Sequence, residues 1–261
     1  MARIPPQIQT LIIARNEEAV IGRAIRSALP LGPVMVIDGG SMDQTREAAR
    51  AAGATVLENP WPGFAAQRRF AIAKASAEHL LFLDADEEVT PELVVAIQSL
   101  DWAVNGYRIR RRSRFLGRWM RHGAWSRDHV LRLFRRGGAE VPERAVHEEV
   151  SVSGEILRIE APILHYAQDD FHTVGRKFAD YIPLAAREIV KRGRPPGIFA
   201  IIARAKVSFI RDYFLRLGFL DGWRGFVLAF WGMASVIAKY AEARRLAELA
   251  DSGEADRLKA R

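Results

Sequence analysis

An α/β fold with a doubly wound, mostly parallel sheet and a C-terminal helical extension is predicted by three observations. Short β-branched runs alternate with helical stretches through the first hundred residues. Carboxylates stand where those runs end, Asp38 after VMVI and Asp84 and Asp86 after LLFL. Past residue 168 the strand pattern gives way to long helical stretches, so an α/β domain is expected at 1–168 and a helical region at 169–261.

The elements follow in order. Residues 10–14 (TLIIA) form the first strand, and Asn16 is placed to cap a helix over 17–29 with Glu17 and Glu18 at its positive end. Residues 34–38 are the second strand, entering a Gly39-Gly40 turn. Ser41-Met42-Asp43-Gln44 matches a capping box for a helix that closes at Gly53. A short strand at 54–57, a helix at 63–75 and a strand at 80–83 come next. Thr90 and Pro91 read as N-cap and first residue of a helix running to Leu100. Residues 107–110 and 130–134 alternate as strands do, and 161–166 completes the series. Helices are expected at 169–192, 198–217 and 223–247, with Gly193-Arg194-Pro195-Pro196-Gly197 breaking the first from the second. The uncharged run 225–238 is expected to be a core or oligomer helix, because it falls short of the ~20 apolar residues that span a bilayer.

Composition sets limits on function. The chain of 261 residues is 49% hydrophobic, enough for one substantial core with an appendage. It has no cysteine, which excludes disulfides and thiolate metal sites and fits a reducing compartment. The N-terminus lacks the basic-then-apolar pattern of a signal peptide. A formal net charge of +8 favours anionic partners such as phosphorylated substrates, acidic lipid or nucleic acid.

The acidic turn carries the chemistry. If the extended conformation persists past Leu83, Asp84 and Asp86 point to one side. Two hard oxygen ligands there suit Mg²⁺ or Mn²⁺ shared with substrate phosphates. Solvated loop charges or caps are the plain alternative. A phosphatase nucleophile is another, but that motif belongs on a first strand and three strand–helix units precede this one. The ends of strands one, two and four would share one crevice in such a sheet. With no glycine-rich fingerprint after the first strand, a nucleotide with a metal-bound diphosphate fits better than a dinucleotide or a P-loop ligand.

These residues resemble a known family. Leu11-Ile12-Ile13 leading to Asn16-Glu17-Glu18, Val36-Ile37-Asp38-Gly39-Gly40-Ser41-Met42-Asp43-Gln44-Thr45, Gln67-Arg68-Arg69 and Leu83-Asp84-Ala85-Asp86-Glu87 look like family 2 glycosyltransferases of the GT-A fold. Arg132-Leu133-Phe134-Arg135-Arg136, Val146-His147-Glu148 and the segment from Gly218 to Tyr240 look most like lipopolysaccharide-core enzymes that add β-1,4-linked glucose to inner-core heptose. The resemblance implies a nucleotide-sugar site at Ala14, Arg15, Asn16, Glu17, Asp38, Gln67, Asp84, Ala85 and Asp86. In it Ala14 and Arg15 belong to the nucleobase and ribose pocket, and Asp38 to the nucleobase. Asp84 is the ribose- or diphosphate-proximal acid, and Asp86, with Asp84, the ligand of Mg²⁺ or Mn²⁺. The family usually has Asn where this chain has Arg69. Glu148 is the implied general base, with Glu149 and His147 next.

Eleven arginines fall within residues 105–136, with Trp119 and Trp125 among them. Arg132 or Arg135 is expected near the diphosphate, since guanidinium binds phosphate bidentately, and at least half of the others on a solvated face. Arg with Trp also permits single-stranded nucleic acid binding, but no known nucleic-acid motif is present and none is expected as a partner. Arg204, Lys206, Arg211, Arg216 and Arg224 beside apolar residues fit peripheral contact with anionic membrane, on the cytoplasmic face. The expected enzyme is thus an inverting, metal-dependent transferase moving hexose from UDP-glucose or a similar donor to lipopolysaccharide inner core. Transfer to a polyprenyl phosphate or another envelope glycan is the second reading, and a non-catalytic basic membrane- or nucleic-acid-binding module the third.

Overall fold

The computed structural model describes residues 7–142, 150–168 and 170–252. The chain forms two compact units, one of residues 1–113 and 127–167 and the other of residues 114–126 and 168–261. In the first unit the order is β1 (Ile8–Ala14), α1 (Ile21–Ala28), β2 (Val34–Asp38), α2 (Thr45–Ala51), β3 (Thr55–Glu58), α3 (Phe64–Lys74), β4 (His79–Asp84), β5 (Glu87–Val89) and α4 (Pro91–Gln98). There follow β6 (Gly106–Phe115), β7 (Arg118–Trp119), β8 (His129–Arg135), β9 (Ala139–Glu140), β10 (Ser151–Val152) and β11 (Ile156–Gln168). The helices of the second unit are α5 (Phe171–Lys191), α6 (Ile198–Ile210) and α7 (Trp223–Asp251).

The main sheet runs β3-β2-β1-β4-β8-β6-β11-β5, with β7 on β6 and a separate β9-β10 pair. It is parallel through β3-β2-β1-β4 and antiparallel at β4-β8, β8-β6 and β11-β5. With side chains alternating between faces, β1, β2 and β4 are buried on both. Ile12, Val36, Leu81 and Leu83 pack with Ile21 and Ile25 of α1, Ala49 of α2 and Leu93 of α4. Leu11, Met35, Ile37, Leu80 and Phe82 pack with Ala65, Ala71 and Ala75 of α3. Helices therefore cover both faces, and the three parallel pairings bring the ends of β1, β2 and β4 to one edge.

Two helix starts differ from the sequence expectation. α1 begins at Ile21, four residues after Glu17, and has no side-chain cap. Asn16 instead takes a left-handed conformation, φ 58°, and its Oδ1 accepts from Met42 N at 2.8 Å. α2 begins at Thr45, so Ser41 caps nothing; Asn16 N donates to its hydroxyl at 2.9 Å. Glu17 N to Thr45 Oγ1 at 2.8 Å and Gln44 N to Glu18 Oε2 at 2.8 Å complete a clasp between the loops after β1 and β2. The polar residues that fit local caps serve a non-local joint. Thr90 does cap α4, accepting from Leu93 N at 3.2 Å.

In the second unit Val174 of α5 and Leu228 of α7 pack with Phe115, Leu116 and Met120. α6 ends in a π turn at Arg211–Leu215, and a 3₁₀ turn at Gly218–Asp221 leads into α7. α7 is one helix of 29 residues, long and apolar enough by length and composition to cross a membrane.

Candidate active site

The C-terminal edge of β1, β2 and β4 is built by backbone turns that the side chains pin. Asp38, fully buried at the end of β2, accepts from Gly40 N at 3.1 Å, from Ser41 N at 3.0 Å and from the Ser41 hydroxyl. Arg46 approaches the same carboxylate at 3.5 Å. The structure thus gives Asp38 the work of shaping this loop. Gln67 is likewise fully buried, exchanging hydrogen bonds with the Asn59 side chain at 2.7 Å and its carbonyl at 3.2 Å. Ala14 is buried and its carbonyl accepts from Gly39 N at 2.9 Å, while Arg15 is exposed beside it. Gly39 must be glycine because a Cβ there would lie 2.5 Å from the Trp61 ring, which makes an edge contact with Phe64. An indole therefore stands beside the strand ends that carry Ala14 and Asp38.

The acidic pair is arranged differently from the alternation argument. β4 stops at Asp84; Ala85, itself buried, and Asp86 form a turn, and Glu87 starts β5. The two aspartates consequently diverge. Asp84 forms a paired ion contact with the Arg132 guanidinium, whose second partner is Glu87 Oε1 at 2.7 Å. Arg68 stands 4.0 Å from Asp84 and Arg111 3.8 Å from Glu87, which is fully buried and also accepts from Asp84 N at 3.0 Å.

Burial pulls these groups toward neutrality, and the outcome differs by position. For Asp84 burial raises the carboxyl, but the charge and hydrogen bonds of Arg132, helped by Arg68 and His165, hold it well below the usual carboxylate range. For Glu87 burial wins, with repulsion from Asp84 added, and the carboxyl is pushed up despite Arg132. Arg132 resists burial through both acids and stays firmly charged.

Asp86 faces a residue that sequence reasoning missed. His165 on β11 brings Nε2 to 3.5 Å from Asp86 Oδ2, while its Nδ1 contacts the buried Ser113 hydroxyl at 3.0 Å. Tyr166 N donates to the Asp86 carbonyl at 3.0 Å, and Tyr166 Oη to Glu88 at 2.8 Å, so β11 clamps the turn. When Ser113 accepts from Nδ1–H, Nε2 presents a lone pair beside the Asp86 carboxylate. A carboxylate oxygen and an imidazole nitrogen 3.5 Å apart are a donor set that would suit a divalent ion such as Mn²⁺. Among the described residues no group of three or more His, Asp or Glu is placed to hold an ion. Asp84, expected as a second ligand, has its carboxylate committed to Arg132.

The remaining expected residues separate. Arg132 does reach the acidic turn, where it joins the carboxylates. Arg135 does not: β8 runs antiparallel to β4, pairing Arg135 with His79 at the opposite end of the strand from Asp84, and its side chain meets Glu78 at 2.7 Å. Its expected place near the diphosphate is corrected on that ground. His147, Glu148 and Glu149 lie outside the described residues.

A mostly parallel sheet with helices on both faces and an acidic turn at its strand ends has the architecture of a GT-A glycosyltransferase. The chain belongs to glycosyl transferase family 2, whose family model matches residues 10–149, over half of it. It is 28% identical over 260 residues to an uncharacterized glycosyltransferase of Rickettsia prowazekii, covering 94% of this chain and 87% of that one. It is also 28% identical over 255 residues to the lipopolysaccharide core biosynthesis glycosyltransferase LpsC of Rhizobium meliloti, covering 90% and 93%. Among solved structures, glucosyl-3-phosphoglycerate synthase of Mycobacterium tuberculosis with Mn²⁺, UDP and phosphoglyceric acid matches with TM-score 0.46 and 19% identity, over 65% of this chain and 74% of that one. The same enzyme with Mn²⁺, UDP-glucose and phosphoglyceric acid matches with TM-score 0.36 and 27% identity, over 41% of this chain and 44% of that one.

Proposed function

We propose that this glycosyltransferase moves a hexose, glucose from UDP-glucose being the leading donor, onto the inner core of lipopolysaccharide with inversion at the anomeric carbon. The observation that carries the donor chemistry is the pair formed by Asp86, inside the family segment 10–149, and His165 beyond it. The acceptor class is supported by the likeness to LpsC along most of both chains. The lipid-borne acceptor would bring the enzyme to the cytoplasmic face of the membrane as a peripheral protein.

In this reading Asp86 and His165 hold Mg²⁺ or Mn²⁺, which when bound offsets the charge that develops on the departing diphosphate. Arg68, 4.0 Å from Asp84, and Arg132, shared between Asp84 and Glu87, are the guanidinium groups at this turn that a donor phosphate would meet. Glu148 takes the proton of the acceptor hydroxyl as its oxygen attacks the anomeric carbon. The bond from that carbon to the diphosphate oxygen breaks on the opposite face. An unperturbed glutamate is ionised at neutral pH and available for this step.

Glu148→Gln tests the assignment. Turnover should fall on the order of 10²–10⁴-fold, while UDP-sugar and metal affinity, read by thermal stabilisation across a panel of nucleotide sugars, stay within about threefold. Parallel loss of both would put Glu148 in the donor site, and near-normal turnover would move the base to Glu149 or His147. Asp86→Asn should instead remove the metal-dependent part of donor binding in a folded protein.

A further inference from the structure

The second unit carries an apolar tip whose surface charge is all of one sign. Among the described residues, fourteen of the twenty-two exposed large apolar side chains fall between Ile198 and Ile237. They include Leu215 at 75% exposure, Phe214, Leu220 and Trp223, crowded onto the π turn, the 3₁₀ turn and the start of α7. An exposed apolar patch of this density marks a binding surface.

Its rigidity is built in. Asp212 is 3% exposed and receives Arg211 at 2.8 Å and Arg216 at 3.1 Å. Asp221, also 3% exposed, accepts from the backbone N–H groups of Arg121 at 3.0 Å and His122 at 2.8 Å, and meets the His122 ring at 3.2 Å. Gly225 lets α7 close on this turn, since a Cβ there would sit 1.8 Å from the Gly218 carbonyl. Leu217 is held at φ 57°, a conformation that favours glycine or asparagine, yet its side chain points out at 45% exposure.

Charge identifies the occupant. Residues 192–239 contain eight lysines and arginines and two acids, and the two acids are the buried Asp212 and Asp221. The exposed surface of this stretch therefore presents apolar groups and cations with no carboxylate. A second copy docked symmetrically on this face would bring like charges together, whereas a bilayer containing anionic lipid satisfies both features. We propose that the Arg211–Trp223 tip is a monotopic membrane wedge, its apolar side chains entering the interface of an anionic bilayer and Arg204 and Lys206, exposed on α6 beside it, meeting the headgroups. The purpose of the wedge rests on the lipid-borne acceptor proposed above; its physical content is a lipid-binding surface on the second unit.

The test is co-sedimentation of the full chain with vesicles of phosphatidylcholine alone and with about one-third phosphatidylglycerol. Binding should require the anionic lipid and weaken at high salt. A Leu215→Asn/Leu220→Asn variant should partition about tenfold less or weaker still, while Val95→Asn, an exposed apolar site on α4, should leave binding unchanged. Equal binding to both vesicle types, no binding, or full binding by the double variant would overturn the proposal. So would a protein that resists an alkaline carbonate wash, because α7 would then span the bilayer. A dimer that the double variant disperses, without vesicle binding, would assign the face to a second copy. Transfer to a delipidated acceptor oligosaccharide separates the two readings. Normal transfer without vesicle binding rejects only the wedge, and vesicle binding without transfer from any nucleotide sugar rejects only the function.

Discussion

Two regions of this molecule bury carboxylates against cations and are left with opposite surfaces. At the end of β4, Asp84 and Glu87 share Arg132, and what remains beside them is Asp86 with His165. At the tip of the second unit, Asp212 and Asp221 are consumed inside, and what remains outside is apolar groups and arginine. In the proposed reading the first region meets a cation and the second an anionic surface, and in both the buried acids, Glu87 in one and Asp212 and Asp221 in the other, fix the geometry around them.

The largest break should come at the centre of the first region. Arg132→Ala would leave Glu87 buried with Arg111, at 3.8 Å, and His165 to answer it. Removing one partner of a buried pair costs about 3–5 kcal/mol, to be read by urea denaturation. Glu87→Gln added to that variant should recover part of the loss. A change below about 1 kcal/mol would show that Arg132 does not hold the turn.

A sharper comparison uses pH, because the two acids on Arg132 shift in opposite directions. Asp84 is lowered, so its contribution is present above its unfolded value of 3.8 and is lost as pH falls through its lower folded value. Glu87 is raised, so its contribution is present below its unfolded value of 4.5 and is lost as pH rises through its higher folded value. Relative to wild type, Glu87→Gln should therefore gain stability as pH rises above 4.5, and the deficit of Asp84→Asn should shrink as pH falls below 3.8. Urea midpoints measured from acid to neutral pH decide it, and parallel curves for all three proteins would reject the opposed shifts.

What the sequence made legible was local. The parallel half of the sheet follows from two-residue periodicity and the turns between runs, and VMVID matches β2 to the residue. What it hid depends on partners far along the chain. Arg132 lies 48 residues from Asp84 and is one of eleven arginines in its region. Its signal was the company it keeps: an arginine set in Leu131, Leu133 and Phe134 must be buried and so needs an acid. His165 gave a similar sign, standing in a strand pattern among Pro162, Ile163 and Leu164. Register with β5, fixed only in the sheet, is what sets it opposite Glu87 and next to Asp86.

The smallest expected effect tests the place where local pattern misled. A helix cap and a left-handed clasp make different demands on residue 16. Serine caps a helix about as well as asparagine, so a cap would tolerate Asn16→Ser with almost no loss. In the structure Asn16 sits at φ 58° and reaches Met42 N with its side-chain carbonyl, while α1 starts at Ile21. Serine is poorly suited to that conformation, at a cost of roughly 1–2 kcal/mol, and its hydroxyl is shorter than the amide that spans the gap. Glycine accepts the conformation and loses only the exposed hydrogen bond, about 0.5–1.5 kcal/mol. Denaturation midpoints should therefore rank wild type above Asn16→Gly and Asn16→Gly above Asn16→Ser. If serine instead matches wild type, Asn16 is a cap and the joint between the two loops is held by Glu17, Glu18 and Thr45 without it.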